Sequence, residues 1–326
     1  MEEIDLNEIG IIKKINILKP FIILKNEFCY EDPRGFIVDC NRKKRCDLLY
    51  LPQKIIGGHG ILYFVLRNNE KILVKSSKIK EDSIVIEAII QYCAYKILQK
   101  YHLDFIVPRI YEIFYKENSF YFSMEYLEAK TLDSFLLETK TPENSFLFCL
   151  LQICIILNIL ENRLYFNHRD LRITNILVLD KPTNYIFNYK NKNYKIDTTF
   201  HISIIDFGFA CIGKEKTVIN ANETLFNNTT KCLKHGRDIF NLFISVWCIK
   251  EIRHRMNEEF IKTINNILID NNYPYSELSK WSYYVKQLED SKWTYNFTGA
   301  NDFNMDYLRP INLIQKLIDL LNLKEI

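Results

Sequence analysis

Asp170 and Asn175 lie five positions apart in the stretch Phe-Asn-His-Arg-Asp-Leu-Arg-Ile-Thr-Asn-Ile-Leu, residues 166 to 177. Upstream, Phe146 to Leu160 is apolar apart from Gln152 and Asn158. That run is short for a membrane span and reads as the centre of a buried helix over Asn144 to Leu164. Downstream, Ile176-Leu177-Val178-Leu179 reads as a buried strand. A carboxylate and a carboxamide are thus fixed on one short loop, held at both ends by elements that must be buried. Ile204-Ile205-Asp206-Phe207-Gly208 adds a second carboxylate at a strand end, followed by a residue that frees the backbone.

These side chains suit phosphoryl transfer, in which a carboxylate takes the proton of the attacking hydroxyl and oxygen ligands hold a metal ion. Bulk properties are compatible with such a chain. It has 326 residues, 48% apolar and 25% charged, which excludes wholesale disorder and allows one large domain or two lobes. The net charge of +3 supplies no field for nucleic acid, so no nucleic-acid partner is expected. Nine scattered cysteines without a Cys-x-x-Cys pair predict reduced thiols in a cytoplasmic, reducing compartment. Met1 is followed by Glu2, Glu3 and Asp5, so neither a leader nor a membrane partner is expected.

Residues 1–52 read as an extension of mixed charge, in which Lys43-Lys44-Arg45 reads as a solvated turn in preference to a nuclear signal or an anion-binding patch. From Lys54 the pattern becomes β. Apolar runs on either side of Asn68-Asn69-Glu70 predict a hairpin ending at Ile72-Leu73-Val74-Lys75. Gly58-His59-Gly60-Ile61-Leu62-Tyr63-Phe64-Val65 fits Gly-x-Gly-x-x-Gly-x-Val with Tyr63 in place of the third glycine. A helix follows over Ser83 to Lys100, and Glu87 is the acidic residue inside it. A carboxylate among apolar neighbours needs a partner; Lys75 is the expected one, with Glu81 the alternative to Glu87. Two further strands, Val107 to Phe114 and Phe120 to Glu125, lead into Met124-Glu125-Tyr126-Leu127.

His168-Arg169-Asp170-Leu171-x-x-x-Asn175 followed by Asp206-Phe207-Gly208 resembles the eukaryotic-like protein kinase superfamily. Among divergent members it is similar to haspin-like kinases and to serine/threonine kinases of large DNA viruses. The resemblance covers about residues 54 to 248 and implies an α+β, bilobal kinase-like fold. A β-rich N-lobe is expected over 53–128 and a mainly helical, reduced C-lobe over 129–326. ATP and Mg²⁺ are the implied cofactors and a protein the implied substrate, with a viral member acting in the host cell or virion.

The resemblance also assigns roles. Asp170 is the catalytic base, Asn175 and Asp206 hold the metal, Lys75 binds phosphate and Glu87 fixes Lys75. Arg172 neutralises the transferring phosphoryl group where many members carry lysine. Gly58, Gly60, Val65, Met124, Glu125, Leu127 and Leu177 surround the nucleotide.

A serine or threonine hydroxyl is the expected acceptor. The alternatives are a small-molecule kinase of the aminoglycoside or choline type and a nucleotide-binding pseudokinase scaffold. Residues 180–199, rich in Asn, Tyr and Lys, read as a loose aromatic hairpin tip in preference to a base-stacking surface. The segment after Asp206-Phe207-Gly208 lacks Ala-Pro-Glu and ends at the apolar helix beginning Gly236-Arg237-Asp238. There Asp238 resembles the buried aspartate that braces the catalytic loop. Cys211 stands where a second phosphate-binding cation is expected, so activity is predicted not to require phosphorylation of Thr217, Thr224, Thr229 or Thr230.

Overall fold

The computed structural model describes residues 28–32, 34, 36–39, 42–57, 60–77, 83–117, 119–214, 218–222, 231–247, 249–268, 298 and 305–326. These residues form two compact units. The first comprises the described residues of Met1–Leu127, Arg163–Tyr165 and Asp206–Asn228; the second, those of Glu128–Asn162, Phe166–Ile205 and Thr229–Ile326.

The first unit is a closed sheet of seven strands: β1 (Phe28–Glu31), β2 (Phe36–Val38), β3 (Lys44–Ile56), β4 (Gly60–Arg67), β5 (Glu70–Ser77), β6 (Ile110–Lys116) and β7 (Ser119–Glu125). Their order is β1-β2-β3-β4-β5-β7-β6, and β1 closes the ring by pairing parallel to β6, Cys29 opposite Phe114. Closure removes the exposed edges that an open sheet must protect. This corrects the placement of residues 1–52 outside the lobe: from Phe28 onward the described residues include three of its strands.

Asn68 and Asn69, at φ of 48° and 72°, make the two-residue turn between β4 and β5, the mirror-image geometry that suits the twist of paired strands. Pro52 lies where the β3–β4 register shifts, between Tyr50 and Lys54, and there the missing N–H costs no ladder bond. Cys29, Ile37, Cys46, Leu48, Val65, Ile72, Val74 and Phe114 fill the interior. Beside them Glu112 is buried, accepting hydrogen bonds from Arg67 and Ser123. Helix α1 (Ser83–Gln99) follows β5 and is buried over most of its circumference.

The second unit contains β8 (Lys130–Thr131), α2 (Leu132–Glu138), α3 (Pro142–Leu164), β9 (Ile176–Leu179), β10 (Thr183–Tyr189), β11 (Lys192–Thr198) and β12 (His201–Ile204). Residues 163 and 164 at the end of α3 group with the first unit. The short strands β13 (Cys211–Ile212) and β14 (Ile219–Asn220) pair within the first unit. Helices α4 (Arg237–Trp247), α5 (Lys250–Arg255), α6 (Glu258–Leu268) and α7 (Pro310–Leu320) complete the described second unit.

Helix α3 is long and apolar enough by composition to cross a membrane. Its side chains Phe146, Cys149, Leu150, Leu151, Ile153, Cys154, Ile156 and Leu157 are all fully buried in the protein. Strands β9 and β12 pair antiparallel, with β8 on the other side of β9.

The insertion is not a loose tip. Lys190 and Asn191, at φ of 50° and 63°, make a two-residue turn, and β10 pairs with β11 from Thr183↔Thr198 to Tyr189↔Lys192. Tyr189 and Tyr194 are buried, and Tyr189 Oη donates to the carbonyl of Ile311 on α7. Lys192 pairs with Glu325, and Ile326 N–H donates to the carbonyl of Asn193. The insertion therefore docks residues near the end of the chain.

Cys29, Cys46, Cys93, Cys149 and Cys154 are buried free thiols, whereas Cys211 and Cys232 are each disulfide-bonded, a departure from the expectation of uniformly reduced cysteines.

Candidate active site

In the first unit, Lys75 projects from the face of β5 opposite the buried Ile72 and Val74, because successive strand side chains alternate. Its Nζ donates to Glu87 Oε1 at 2.5 Å and to Asp206 Oδ1 at 2.8 Å. Glu87 comes from α1, with a side chain 7% exposed; Asp206 follows β12 at φ +62°, with a side chain 46% exposed. For Lys75, burial acts to lower the pKa, but the carboxylates of Glu87 and Asp206 outweigh it and hold the ammonium above its ordinary range. Glu87 is thus the partner of Lys75, and Glu81 lies outside the described residues.

Met124 of β7 stands directly opposite Leu73 of β5 and shares the Lys75 face. Gln91 of α1 reaches its sulfur. Glu125 N–H donates to the carbonyl of Arg109, and Tyr126 packs edge-to-face on Phe64 with Lys71 over its ring. Leu127, the last residue of this stretch in the first unit, is half-buried.

The glycine-rich hairpin departs from expectation. Gly58 lies outside the described residues. Gly60 opens β4, and a Cβ there would stand 2.8 Å from the carbonyl oxygen of Ser76, so glycine is required by the neighbouring strand. Val65 is fully buried in the sheet interior, on the face opposite Lys75. The residues of β4 facing Leu73 and Lys75 are Phe64 and Leu62. The glycine alignment was therefore one residue out of register, which in a strand exchanges the two faces.

In the second unit the loop from Asn167 to Asn175 is held from below by α4. Asp238 Oδ2 accepts from His168 N–H at 2.7 Å and Oδ1 from Arg169 N–H at 2.8 Å. Asn241 Nδ2 donates to the carbonyl of Arg169 at 3.0 Å, fixing a residue at φ +65°. Ser245 Oγ accepts from Ile173 N–H, and His168 Nε2 meets the carbonyl of Ile205 at 3.0 Å. Arg169 and Arg237 are both fully buried. Burial and the charge of Arg237 push the Arg169 guanidinium down to about 8, and Asp238 opposes the shift. Burial lowers Arg237 to about 10, again with Asp238 opposing.

On this frame Asp170 is nearly buried. Arg172, with a side chain 46% exposed, grips both its oxygens: Nε to Oδ1 at 2.7 Å and Nη2 to Oδ2 at 3.0 Å. Asn175 Nδ2 donates to the carbonyl of Asp170 at 2.8 Å and to its Oδ2 at 3.1 Å. With both donors committed to Asp170, the orientation of the carboxamide is set, and its oxygen is the atom left for a hard cation. The carboxylate of the half-exposed Asp206, in the first unit, is the other expected oxygen ligand and is likewise a donor type that suits a hard cation. Among the described residues no three His, Cys, Asp or Glu side chains cluster as a metal site. Leu177 is half-buried in β9, opposite Ser203 of β12 and Thr131 of β8.

The predicted residues thus fall into two sets, Lys75–Glu87–Asp206 with Met124 in one unit and Asp170–Arg172–Asn175 with Leu177 in the other. Thr217, Thr224, Thr229 and Thr230 lie outside the described residues. Asn167 was missed. It is fully buried, with Oδ1 accepting from Lys234 N–H at 2.6 Å and Nδ2 donating to Asp238 Oδ2 at 3.3 Å. Its signal was a carboxamide between Phe166 and His168 in a stretch that must be buried, because such a group needs partners.

The profile of the family described as "Protein kinase domain" matches residues 56–230, more than half of the chain. This chain belongs to the protein kinase domain family. "Probable kinase 098L" of Invertebrate iridescent virus 3 is 30% identical over 159 residues, which is 48% of this chain and 29% of that protein. The kinase-domain chain thus spans less than a third of the length of that relative. Among solved structures it is similar to the kinase domain of PF14_0431, with 20% identity, 56% of this chain and 55% of that chain covered and a TM-score of 0.38. It is also similar to titin kinase with its flanking domains, with 18% identity, 50% and 26% covered and a TM-score of 0.34. The kinase-domain assignment and the β-rich first unit followed by helices agree with the α+β bilobal fold that the motifs implied.

Proposed function

We propose that this kinase-domain chain transfers the γ-phosphoryl group of ATP to a serine or threonine hydroxyl of a protein. The observation that carries the reading is the complete Lys75–Glu87 ion pair, which presents a protonated ammonium beside Asp206. Lys75 supplies positive charge to the nucleotide phosphates, and Glu87 holds it in place. Asp170 accepts the hydroxyl proton as the acceptor oxygen bonds to phosphorus and the bond to the leaving ADP oxygen breaks. The Arg172 fork and the Asn175 amide keep its carboxylate from rotating. Asn175 and Asp206 are the residues that would hold Mg²⁺, which when bound neutralises charge developing on the phosphate oxygens.

The test is transfer of labelled phosphate from ATP in the presence of Mg²⁺ to serine, threonine and tyrosine peptide libraries, with an aminoglycoside and choline panel alongside. The expected result is labelling of serine or threonine peptides. Asp170→Asn should lower it by about a hundredfold or more while ATP still raises the Tm, since the base acts on the acceptor. Labelling of a metabolite alone would replace this reading with a small-molecule kinase. ATP binding without any transfer would replace it with a pseudokinase scaffold.

A further inference from the structure

We propose that Asn167 is a positioning residue that couples the chain entering α4 to the loop carrying Asp170, a role that rests on the kinase reading above. Ala-Pro-Glu is absent from the segment after Asp206-Phe207-Gly208, yet four consecutive residues at its far end are fixed in the second unit. Lys234 N–H donates to Asn167 Oδ1 at 2.6 Å. His235 Nδ1 lies 3.3 Å from Oε2 of the buried Glu161 on α3. Gly236 sits at φ +75°, where a Cβ would come within 2.3 Å of the Met305 carbonyl oxygen. Arg237 donates through Nε and Nη2 to the Thr298 carbonyl at 3.0 and 2.8 Å.

Of these four anchors, Asn167 is the one that belongs to the loop itself. Its Nδ2 binds the Asp238 oxygen that also accepts the His168 N–H, and the other Asp238 oxygen holds Arg169, the residue before Asp170. One carboxamide therefore joins the entering chain to the brace of the loop. Its chemistry is specific to the position: the side chain must accept from a peptide N–H and donate to a carboxylate, both in a site without water exposure. Aspartate would accept from Lys234 but set a second carboxylate against Asp238. Leucine would do neither.

Two measurements on Asn167→Leu and Asn167→Asp test this. The first is steady-state kinetics per folded molecule. Both variants should lose about tenfold or more in kcat with KM for ATP within about twofold, since Lys75 and Asp206 belong to the other set of residues. The second is hydrogen exchange of peptides spanning 166–172 and 231–238, which should quicken together in both variants. Asn167→Asp decides the matter if Asn167→Leu does not fold, because it keeps the acceptor for Lys234 N–H and loses the donor to Asp238. Unchanged kcat, or exchange that quickens in one peptide alone, would overturn the role of Asn167. A wild-type chain that transfers no phosphate would refute the kinase reading, and the exchange measurement would still decide the coupling.

Discussion

Lys75→Met should leave Glu87 as a buried carboxylate without its principal cation, and the cost should depend on pH in a calculable way. Glu87 is 7% exposed at its side chain, and burial already raises its pKa in the wild type, against the pull of Lys75. Without Lys75 the carboxylate relieves its desolvation by taking a proton. The loss of stability is then capped by the work of protonating it from the unfolded value of 4.5, about 1.4 kcal/mol per pH unit, hence about 3.4 kcal/mol at pH 7 and about 1.4 kcal/mol at pH 5.5. The sign follows from a folded pKa above the unfolded one. Stability is fully present below 4.5 and is lost as pH rises toward the folded value.

Thermal unfolding of wild type, Lys75→Met, Glu87→Gln and the double variant across pH 5 to 7.5 reads this directly. At about 2–4 °C per kcal/mol, Lys75→Met should fall up to about 7–14 °C below wild type at pH 7 and much less at pH 5.5. The double variant should lose that pH dependence, because no titrating carboxyl remains at 87. The effects of the two single substitutions on kcat/KM should not add, since Glu87 acts through Lys75. A pH-independent deficit in Lys75→Met, or additive kinetic losses, would refute the pairing as the source of either effect.

Asp238→Asn should lower the Tm by about 5–10 °C and also lower kcat, because it weakens two charge-assisted bonds to the backbone of the loop carrying Asp170 and removes the counter-charge beside Arg169 and Arg237. An unchanged melting curve in calorimetry would contradict that brace. Gly236→Ala should cost about 2–4 kcal/mol from its left-handed backbone and the 2.3 Å approach to Met305, read as a fall in urea midpoint; a midpoint equal to wild type would show that Met305 moves freely. Burial raises Glu161, with His235 opposing, so its contribution to stability is lost as pH rises above its unfolded value. Glu161→Gln should therefore gain Tm relative to wild type as pH increases, and a constant offset would show that Glu161 does not titrate differently on folding.

The parts of the site legible in the sequence were those defined by identity and short spacing. Asp170, Asn175 and Arg172 lie within one turn-sized loop, so their grouping could be read without knowing the loop's neighbours. Glu87 could be paired with Lys75 because a carboxylate inside an apolar helix has few tolerable environments. Other features depended on pairings that a linear reading does not supply. Strands β1 and β3 lack a self-sufficient pattern because each has one partner, β6 and β4 respectively, that comes later in the chain. The insertion looked loose because its buried tyrosines find their cover near the end of the chain, at Ile311 and Glu325.

Val65 failed for a subtler reason. A glycine motif fixes composition to within a residue, whereas a strand assigns faces with a period of two, so a match displaced by one position names the wrong face. Lys75 settles the face: it stands opposite Leu62, and Leu73 stands opposite Phe64. If Phe64 borders the nucleotide face, as this register implies, Phe64→Ala should change the KM for ATP. Val65→Ala should instead cost stability, about 1–3 kcal/mol for a buried aliphatic truncation, with KM unchanged. Measuring both quantities for both variants sets the motif alignment against the strand register. A KM effect confined to Val65→Ala would return the assignment to the motif.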